Sequence, residues 1–182
     1  MTPEKKGYVK EEEGFVKFFR GSKDGYRFKD LKNFLRNEYV IEVLEKARKG
    51  NLDLVLERCR DITVKDFIKL CENDGGRWIL KEAKEENLEV FFNHFKGITL
   101  KDFIGACGNY DVGAVLKYAR KENLEVLLKY SDINTPEEFK KLCEIDGIRK
   151  ILNNAREEDL ESFLTSNKTT PKNIIRALWK LI

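Results

Sequence analysis

The sequence predicts an all-α fold made of tandem repeats, from a repeat period, helical spacing of apolar residues and regular helix-start signals. Steps of 36 residues from the segment 119–125 keep four positions in phase: an alanine, a basic residue, an amide or acid, and a leucine. These positions are Ala47, Ala83, Ala119 and Ala155; Arg48, Lys84, Arg120 and Arg156; Asn51, Asn87, Asn123 and Asp159; and Leu52, Leu88, Leu124 and Leu160. Such a unit buries its apolar face only by stacking on its neighbours. We therefore expect a right-handed α-solenoid of about four 36-residue units with three short helices each, capped by partial units at both ends.

All 182 residues fit a single helical-repeat domain. Residues 1–27 are assigned to an N-terminal cap, because residues 10–20 resemble part of a unit and the first repeat would otherwise expose its stacking face. The repeats follow at about 28–63, 64–99, 100–135 and 136–170. Residues 171–182 are predicted to form a C-terminal capping helix.

The second, third and fourth units each open with a helix whose start is marked by a threonine and an acid three residues later. The pairs are Thr63 with Asp66, Thr99 with Asp102 and Thr135 with Glu138, and prolines 136 and 171 stand at the first helical position. A threonine hydroxyl accepts from free backbone amides, and an acid favours the positive helix end. Apolar residues spaced three and four apart then predict a buried face, beginning with Phe67, Ile68, Leu70 and Cys71 in the second unit.

Two boundaries follow within each unit. The first helix is expected to end at a glycine turn, because glycine tolerates the left-handed backbone of a C-terminal turn. This turn is predicted at Asp74-Gly75-Gly76 in the second unit and at Asp146-Gly147 in the fourth. In the third unit Asn109-Tyr110-Asp111 takes the same place. After a second helix, a third helix is predicted to begin at an N-cap with an acid two residues later. These N-caps are Asn51, Asn87, Asn123 and Asp159.

Composition favours a cytoplasmic protein without a membrane span. Apolar runs are only a few residues long, whereas a bilayer needs about 18, and no apolar region of an export signal follows the basic start. Four cysteines are present, Cys59, Cys71, Cys107 and Cys143, with no CxxC spacing. Three of them lie one period apart, so stacked helices would hold them about 8–10 Å apart, too far for a disulfide. We predict buried free thiols.

Charge is abundant but uneven along the chain. The net charge is +3, yet residues 15–36 carry seven Lys or Arg against two Asp, and residues 163–182 carry four against none. Basic ends are compatible with a nucleic-acid-binding protein, although a pI near 8.5 is below the range of dedicated binders. The basic residues concerned are Lys17, Arg20, Lys23, Arg27, Lys29, Lys32 and Arg36 at one end and Lys168, Lys172, Arg176 and Lys180 at the other.

A family resemblance is carried by the segment Ala47-Arg48-Lys49-Gly50-Asn51-Leu52-Asp53-Leu54-Val55-Leu56. It resembles the junction of the two helices in an ankyrin repeat, as does the segment 119–128. The resemblance implies a curved stack that binds partner proteins, and it assigns no individual functional residue. The unit differs from an ankyrin repeat in its 36-residue period, against about 33, and in having a capped helix in place of the β-hairpin finger.

Candidate partner-binding residues are the basic column Arg48, Lys84, Arg120 and Arg156, together with Trp179. The column could follow an acidic partner or phosphates along the stack. Alternatively, each residue lies in the last turn of its second helix and meets the negative helix end. Trp179 lies in the C-terminal helix, which is predicted to cap the last unit. If its outer face stays exposed, that helix is a homodimer or partner contact.

No catalytic, cofactor-binding or metal-binding set is predicted. His94 is the only histidine, which excludes a histidine-based metal cluster. Asp74, Asp111 and Asp146 recur with the period and are interpreted as turn residues. Two hypotheses remain: a non-enzymatic protein-interaction scaffold, and a nucleic-acid binder using the basic ends. The nucleic-acid binder is placed second because of its pI. The registers Arg77, Gly113, Arg149 and Lys81, Lys117, Asn153 vary between units, which is compatible with the nonuniform binding face of a scaffold.

Overall fold

The computed structural model describes residue 34, residues 36–60 and residues 62–166, and these form eleven α-helices. Within this part of the chain the only β contact is an isolated bridge between Arg60 and Thr99. The predicted all-α class is therefore confirmed for the described residues. The helices are α1 Glu38–Lys46, α2 Lys49–Arg58, α3 Val64–Glu72, α4 Asp74–Glu82, α5 Glu85–His94, α6 Leu100–Cys107, α7 Tyr110–Tyr118, α8 Lys121–Tyr130, α9 Pro136–Cys143, α10 Ile148–Asn154 and α11 Glu157–Ser166.

The helices fall into three sets by their position along the chain. We call α3, α6 and α9 the first helices, α1, α4, α7 and α10 the second helices, and α2, α5, α8 and α11 the third helices. Each helix contacts the next helix of its own set. Each first helix also contacts the second helix that precedes it in the chain. The predicted N-terminal cap (1–27) and C-terminal helix (171–182), which includes Trp179, lie outside the described residues.

The first helices begin where the threonine pattern predicts. The hydroxyls of Thr63, Thr99 and Thr135 each accept from the backbone amide three residues later. At Thr99 and Thr135 the acid also accepts from the threonine amide, which completes a capping box. The threonine pattern is therefore confirmed. It could be recognised in the sequence because a cap depends only on residues within one turn.

The predicted glycine turn at Asp74-Gly75-Gly76 is wrong. The first helix ends at Glu72, and Asn73 caps α4, its side chain accepting from the amide of Gly76, so Asp74 and both glycines form the first turn of that helix. Asn109 likewise caps α7, which begins at Tyr110. Gly147 does adopt the left-handed conformation, with φ of 87°, between α9 and α10.

The predicted N-caps of the third helices are also wrong. The backbone leaves the second helix as an extended pair, Ala47-Arg48 in the first copy, and the new helix starts at Lys49 with Arg48 as its N-cap. Asn51, Asn87 and Asn123 are therefore inside the first turn. All three are buried, as the only buried polar or charged residues of the described chain. Asp159, in the same register of α11, is exposed.

The buried asparagines join each third helix to the second helix of the following range. The side-chain amide of Asn87 donates to the carbonyls of Leu116 and Ala119, at 3.0 and 3.1 Å. Asn123 donates to the carbonyls of Leu152 and Ala155, both at 3.0 Å. These acceptors lie at a helix C-terminus, where carbonyls have no partner within the helix. Hydrogen bonding to them offsets the cost of burying an amide.

A continuous apolar core lies between the three sets of helices. Phe67, Phe91, Phe103 and Phe139 are fully buried in it, and the ring of Phe91 lies 5.5 Å from that of Phe139. All four cysteines are free and buried, as predicted. No helix in the described ranges is long and apolar enough to cross a bilayer.

Candidate functional site

The solvent-facing side of the second helices carries the exposed aromatic residues of the described part of the chain. We call this side, made by α1, α4, α7 and α10, the second-helix face. Among the described residues, the large hydrophobic side chains that stay exposed are Tyr39 (38%), Ile41 (40%), Tyr110 (62%) and Tyr118 (42%). All of them belong to α1 or α7. Exposed apolar groups gathered on one side of a molecule are typical of a contact surface.

Two of these rings pack against aromatic or cationic groups of α4. The guanidinium of Arg77 lies 4.5 Å from the ring centroid of Tyr39. The ring of Tyr110 lies 5.6 Å from that of Trp78. Trp78 in turn covers Gly113 of α7, where a Cβ atom would come within 2.5 Å of the indole. The aromatic residues are thus held in place by the neighbouring second helix.

Ion pairs between second helices neutralise the middle of the face. Glu42 lies 2.5 Å from Lys81 Nζ and 3.5 Å from Arg77 Nε. Glu82 lies 2.8 Å from Lys117 Nζ. The hydrogen bond from Lys81 lowers the pKa of Glu42, and that from Lys117 lowers the pKa of Glu82. These cations are therefore already partnered within the molecule.

A groove of about 730 Å³ lies where α7 meets α10. Its lining consists of Tyr118, Asp146, Gly147, Arg149, Lys150, Asn153 and Asn154. The Arg149 guanidinium lies 5.8 Å from the ring centroid of Tyr118, within the range of a cation–π contact. Within the described part of the chain, neither Arg149 nor Lys150 has a carboxylate oxygen within 4.0 Å. This groove is the part of the face where positive charge remains unpaired.

The basic column lies away from the last turn of the second helices, where it was expected. Arg48, Lys84 and Arg120 are the N-cap residues of the third helices. The charges of Arg48 and Lys84 nevertheless reach a helix C-terminus, that of the following second helix. Arg48 Nη1 donates to the carbonyl of Ala83 at 3.3 Å, and Lys84 Nζ donates to that of Ala119 at 2.9 Å. The expected contact between a basic side chain and the negative end of a helix therefore exists, but it joins two helices that are far apart in the sequence.

The backbone amides of the column residues also donate to the following second helix. Those of Arg48, Lys84 and Arg120 donate to the carbonyls of Leu80, Leu116 and Leu152, at 3.0, 3.1 and 3.0 Å. Arg156 is exposed at the start of α11. The column thus contributes to helix packing, and its role in partner binding stays a prediction. Trp179 and the basic ends up to Lys32 and from Lys168 lie outside the described residues.

The groups that chemistry would need are dispersed. In the described ranges, no three His, Cys, Asp or Glu side chains lie close enough together to hold a metal ion. Nε2 of His94 lies 2.7 Å from the carbonyl oxygen of Ile133, which assigns the proton to that nitrogen. Burial raises the pKa of Cys59 and of Cys71 to about 12, which disfavours their reactive thiolates. Asp74 and Asp111 lie in the first turns of α4 and α7, and Asp146 in the turn before α10.

Sequence reasoning located part of the second-helix face and missed its aromatic residues. It singled out Arg77, Lys81, Lys117 and Arg149 as variable positions, and all four lie on this face. It assigned no role to Tyr118. The available signal was an aromatic residue in a register that is Lys, Glu or Asn in the other copies.

The resemblance to ankyrin repeats is confined to the junction between second and third helices. In the range 64–99, the part preceding this junction is the capped helix α3, and no β-hairpin lies there. The chain matches no protein-family model, no curated protein and no solved structure.

Proposed function

We propose that this chain is a non-enzymatic protein-interaction scaffold, and that its second-helix face is the binding surface. In this proposal the molecule is a right-handed α-solenoid of about four 36-residue units located in the cytoplasm. The observation that carries the proposal is the distribution of exposed apolar groups. All large hydrophobic side chains exposed in the described residues lie on the second helices.

The contrast between interior and surface positions supports the same function. Positions that join one third helix to the following second helix keep the same residue type, as the buried Asn51, Asn87 and Asn123 do. Positions on the second-helix face change from copy to copy, as from Glu82 to Tyr118. Because stacking does not require this variation, the face is free to match one particular partner.

The charges on this face favour a protein over a nucleic acid. Nucleic-acid affinity comes largely from cations that neutralise phosphates. Here Arg77 and Lys81 are paired with Glu42, and Lys117 with Glu82, so that among the described second helices only Arg149 and Lys150 of α10 stay unpaired. The alternative, a nucleic-acid binder using the basic ends, rests on residues outside the described ranges apart from the exposed Arg36.

Site-specific photocrosslinking in the cells that make the protein tests the proposal. A benzophenone amino acid placed at Tyr110 or Tyr118 should crosslink to the same discrete protein. The matched control is the same amino acid at Gly105, which is exposed on first helix α6 and has no neighbouring atom within 4 Å of its Cβ position. Equal crosslinking from position 105, or crosslinks from the face to nucleic acid alone, would contradict the proposal.

A further inference from the structure

We infer that the groove between α7 and α10 binds an acidic peptide segment of the partner protein. This inference rests on the proposed function, because it names the chemistry of the partner that the second-helix face receives. The groups that carry it are the unpaired cations Arg149 and Lys150, the ring of Tyr118 and the amides of Asn153 and Asn154.

Charge is distributed unevenly along the second-helix face. Helix α1 carries three Glu and one Lys, a net charge of −2, while α4 and α7 each carry equal numbers of acids and bases. Helix α10 carries Arg149 and Lys150 and no acid, a net charge of +2. With Asp146 at the rim of the groove, the lining still has one more positive than negative charge. A carboxylate-bearing ligand is therefore attracted to this end of the face.

A comparison of two arginines in the same register shows why α10 is open to a ligand. Arg77 lies exactly two periods before Arg149, and its guanidinium contacts Asp74, Glu42 and the carbonyl of Cys71. Its side chain is only 14% exposed. Arg149 is exposed and has no such partners among the described residues.

Two residues of α7 stand where α1 and α4 offer carboxylates, while Asp146, the counterpart of Asp74, lies before the start of α10 instead of in its first turn. The register of Glu42 holds Ala114 in α7, which offers no carboxylate. In α4, Glu82 binds Lys117 of the next second helix. Tyr118 holds the same register in α7 and presents an aromatic ring to Arg149 of α10. A carboxylate supplied by a partner would restore the pairing that the earlier second helices make internally.

The other lining groups define the form of the ligand. A groove of about 730 Å³ accommodates a few residues of an extended chain and is too small for a folded domain. The exposed amides of Asn153 and Asn154 can donate to and accept from a peptide backbone. Arg149 can bind one carboxylate through two parallel hydrogen bonds, and Lys150 can bind a second as a point charge. The ligand is thus an extended segment with two acidic residues and an apolar residue placed against Tyr118.

Selection from a random dodecapeptide display library on the full chain tests this inference. The selected peptides should be enriched in Asp and Glu, and the double substitution Arg149→Gln, Lys150→Gln should abolish that enrichment. The matched control is Lys101→Gln, Lys141→Gln, which makes the same change in net charge at exposed positions of first helices α6 and α9. A synthetic copy of a selected peptide should bind the groove variant at least about tenfold more weakly than the wild type, and the control within about twofold.

The alternatives give different outcomes. Selected peptides without an acidic excess that bind the groove variant normally but lose binding on Tyr110→Ser would overturn the inference and leave the proposed function standing. Failure to select any peptide would also overturn the inference, while the crosslinking experiment would still decide the proposed function. A single-stranded oligonucleotide that binds, and does so through Arg149 and Lys150, would overturn both.

Discussion

Gly75 and Gly105 lie on neighbouring helices and have opposite surroundings. Gly75 is in the first turn of α4, where a Cβ atom would lie 2.3 Å from the carbonyl oxygen of Cys107 and 2.9 Å from the carbonyl carbon of Gly108. These are backbone atoms of the next first helix and cannot move like a flexible side chain. Gly105, on α6, has no atom within 4 Å of the same position. The close approach of α4 to α6 therefore depends on Gly75.

Substitution of each glycine by alanine should change stability in opposite directions. We expect Gly75→Ala to lower the free energy of unfolding by about 1–3 kcal/mol, because the backbone must shift to admit the methyl group. Gly105→Ala should raise it by about 0.5–1 kcal/mol, because alanine favours the helix. Urea denaturation followed by circular dichroism measures both. Stabilisation by Gly75→Ala would show that the two helices are not in close contact.

The residue scale also shows where prediction from sequence succeeds and where it stops. The burial of Cys71, Cys107 and Cys143 was predicted because a 36-residue step places them on one face, whereas Cys59 lies outside that register. The role of Asn87 was not predicted, because its hydrogen-bond acceptors lie 29 and 32 residues away. An asparagine before an apolar run has the local pattern of an N-cap, and only the packing of the next helix distinguishes the two roles.

The first helices owe their start to interactions contained within a single turn. At α9, the carboxylate of Glu138 accepts from the amides of Asn134 and Thr135, at 2.9 and 3.0 Å. The hydroxyl of Thr135 accepts from the amide of Glu138 at 3.2 Å. The bond from the Asn134 amide, followed by that from the Thr135 hydroxyl, lowers the pKa of Glu138. Local geometry of this kind can be predicted from the spacing of threonine and acid.

This capping box should make the stability of α9 depend on pH. Because folding lowers the pKa of Glu138, its contribution is complete above the unfolded value of 4.5 and is lost as the pH falls through the folded value. Glu138→Gln should therefore be less stable than the wild type at pH 7, and the difference should shrink below about pH 4.5. Thr135→Ala should cost about 1 kcal/mol through loss of the cap. Denaturant titrations at several pH values measure these differences, and a difference that stays constant with pH would refute the role of the carboxylate.

On the scale of the whole molecule, the described helices are joined mainly between neighbouring ranges. Third helices α2, α5 and α8 are each tied to the following second helix by an asparagine side chain and by the backbone amide of the N-cap residue. Such nearest-neighbour coupling lets one end of a molecule open while the other stays folded.

Hydrogen exchange should detect this local opening. In Asn123→Ala, amides of α10 and α11 should exchange about tenfold faster, because the carbonyls of Leu152 and Ala155 lose their donor. Amides of α4 and α5 should be unaffected. Asn51→Ala is the matched control, since it removes the equivalent bond at the other end and should accelerate exchange in α1 and α2. An equal acceleration throughout the chain in both variants would mean that the molecule opens only as a whole.

At this scale the sequence indicated which positions vary but not which charges are free. Arg77 and Arg149 share a register and are indistinguishable by residue type. Their difference depends on Glu42 and on its counterpart Ala114, each in the preceding second helix. Ion pairs between neighbouring second helices therefore decide which cations of the face stay free. These pairs can be identified only from the three-dimensional arrangement of the helices.

The backbone bonds from Arg48, Lys84 and Arg120 each reach a carbonyl 32 residues further along the chain. Excision of residues 84–119 would join Ala83 to Arg120, the same neighbours that the chain already has at 119 and 120. Arg48 would keep Leu80, and Arg120 would keep Leu152. Removal of these 36 residues therefore keeps the two remaining donors opposite their acceptors. A chain shortened by one period would therefore keep its backbone register at the join, while the packing of α4 on α10 there would be new.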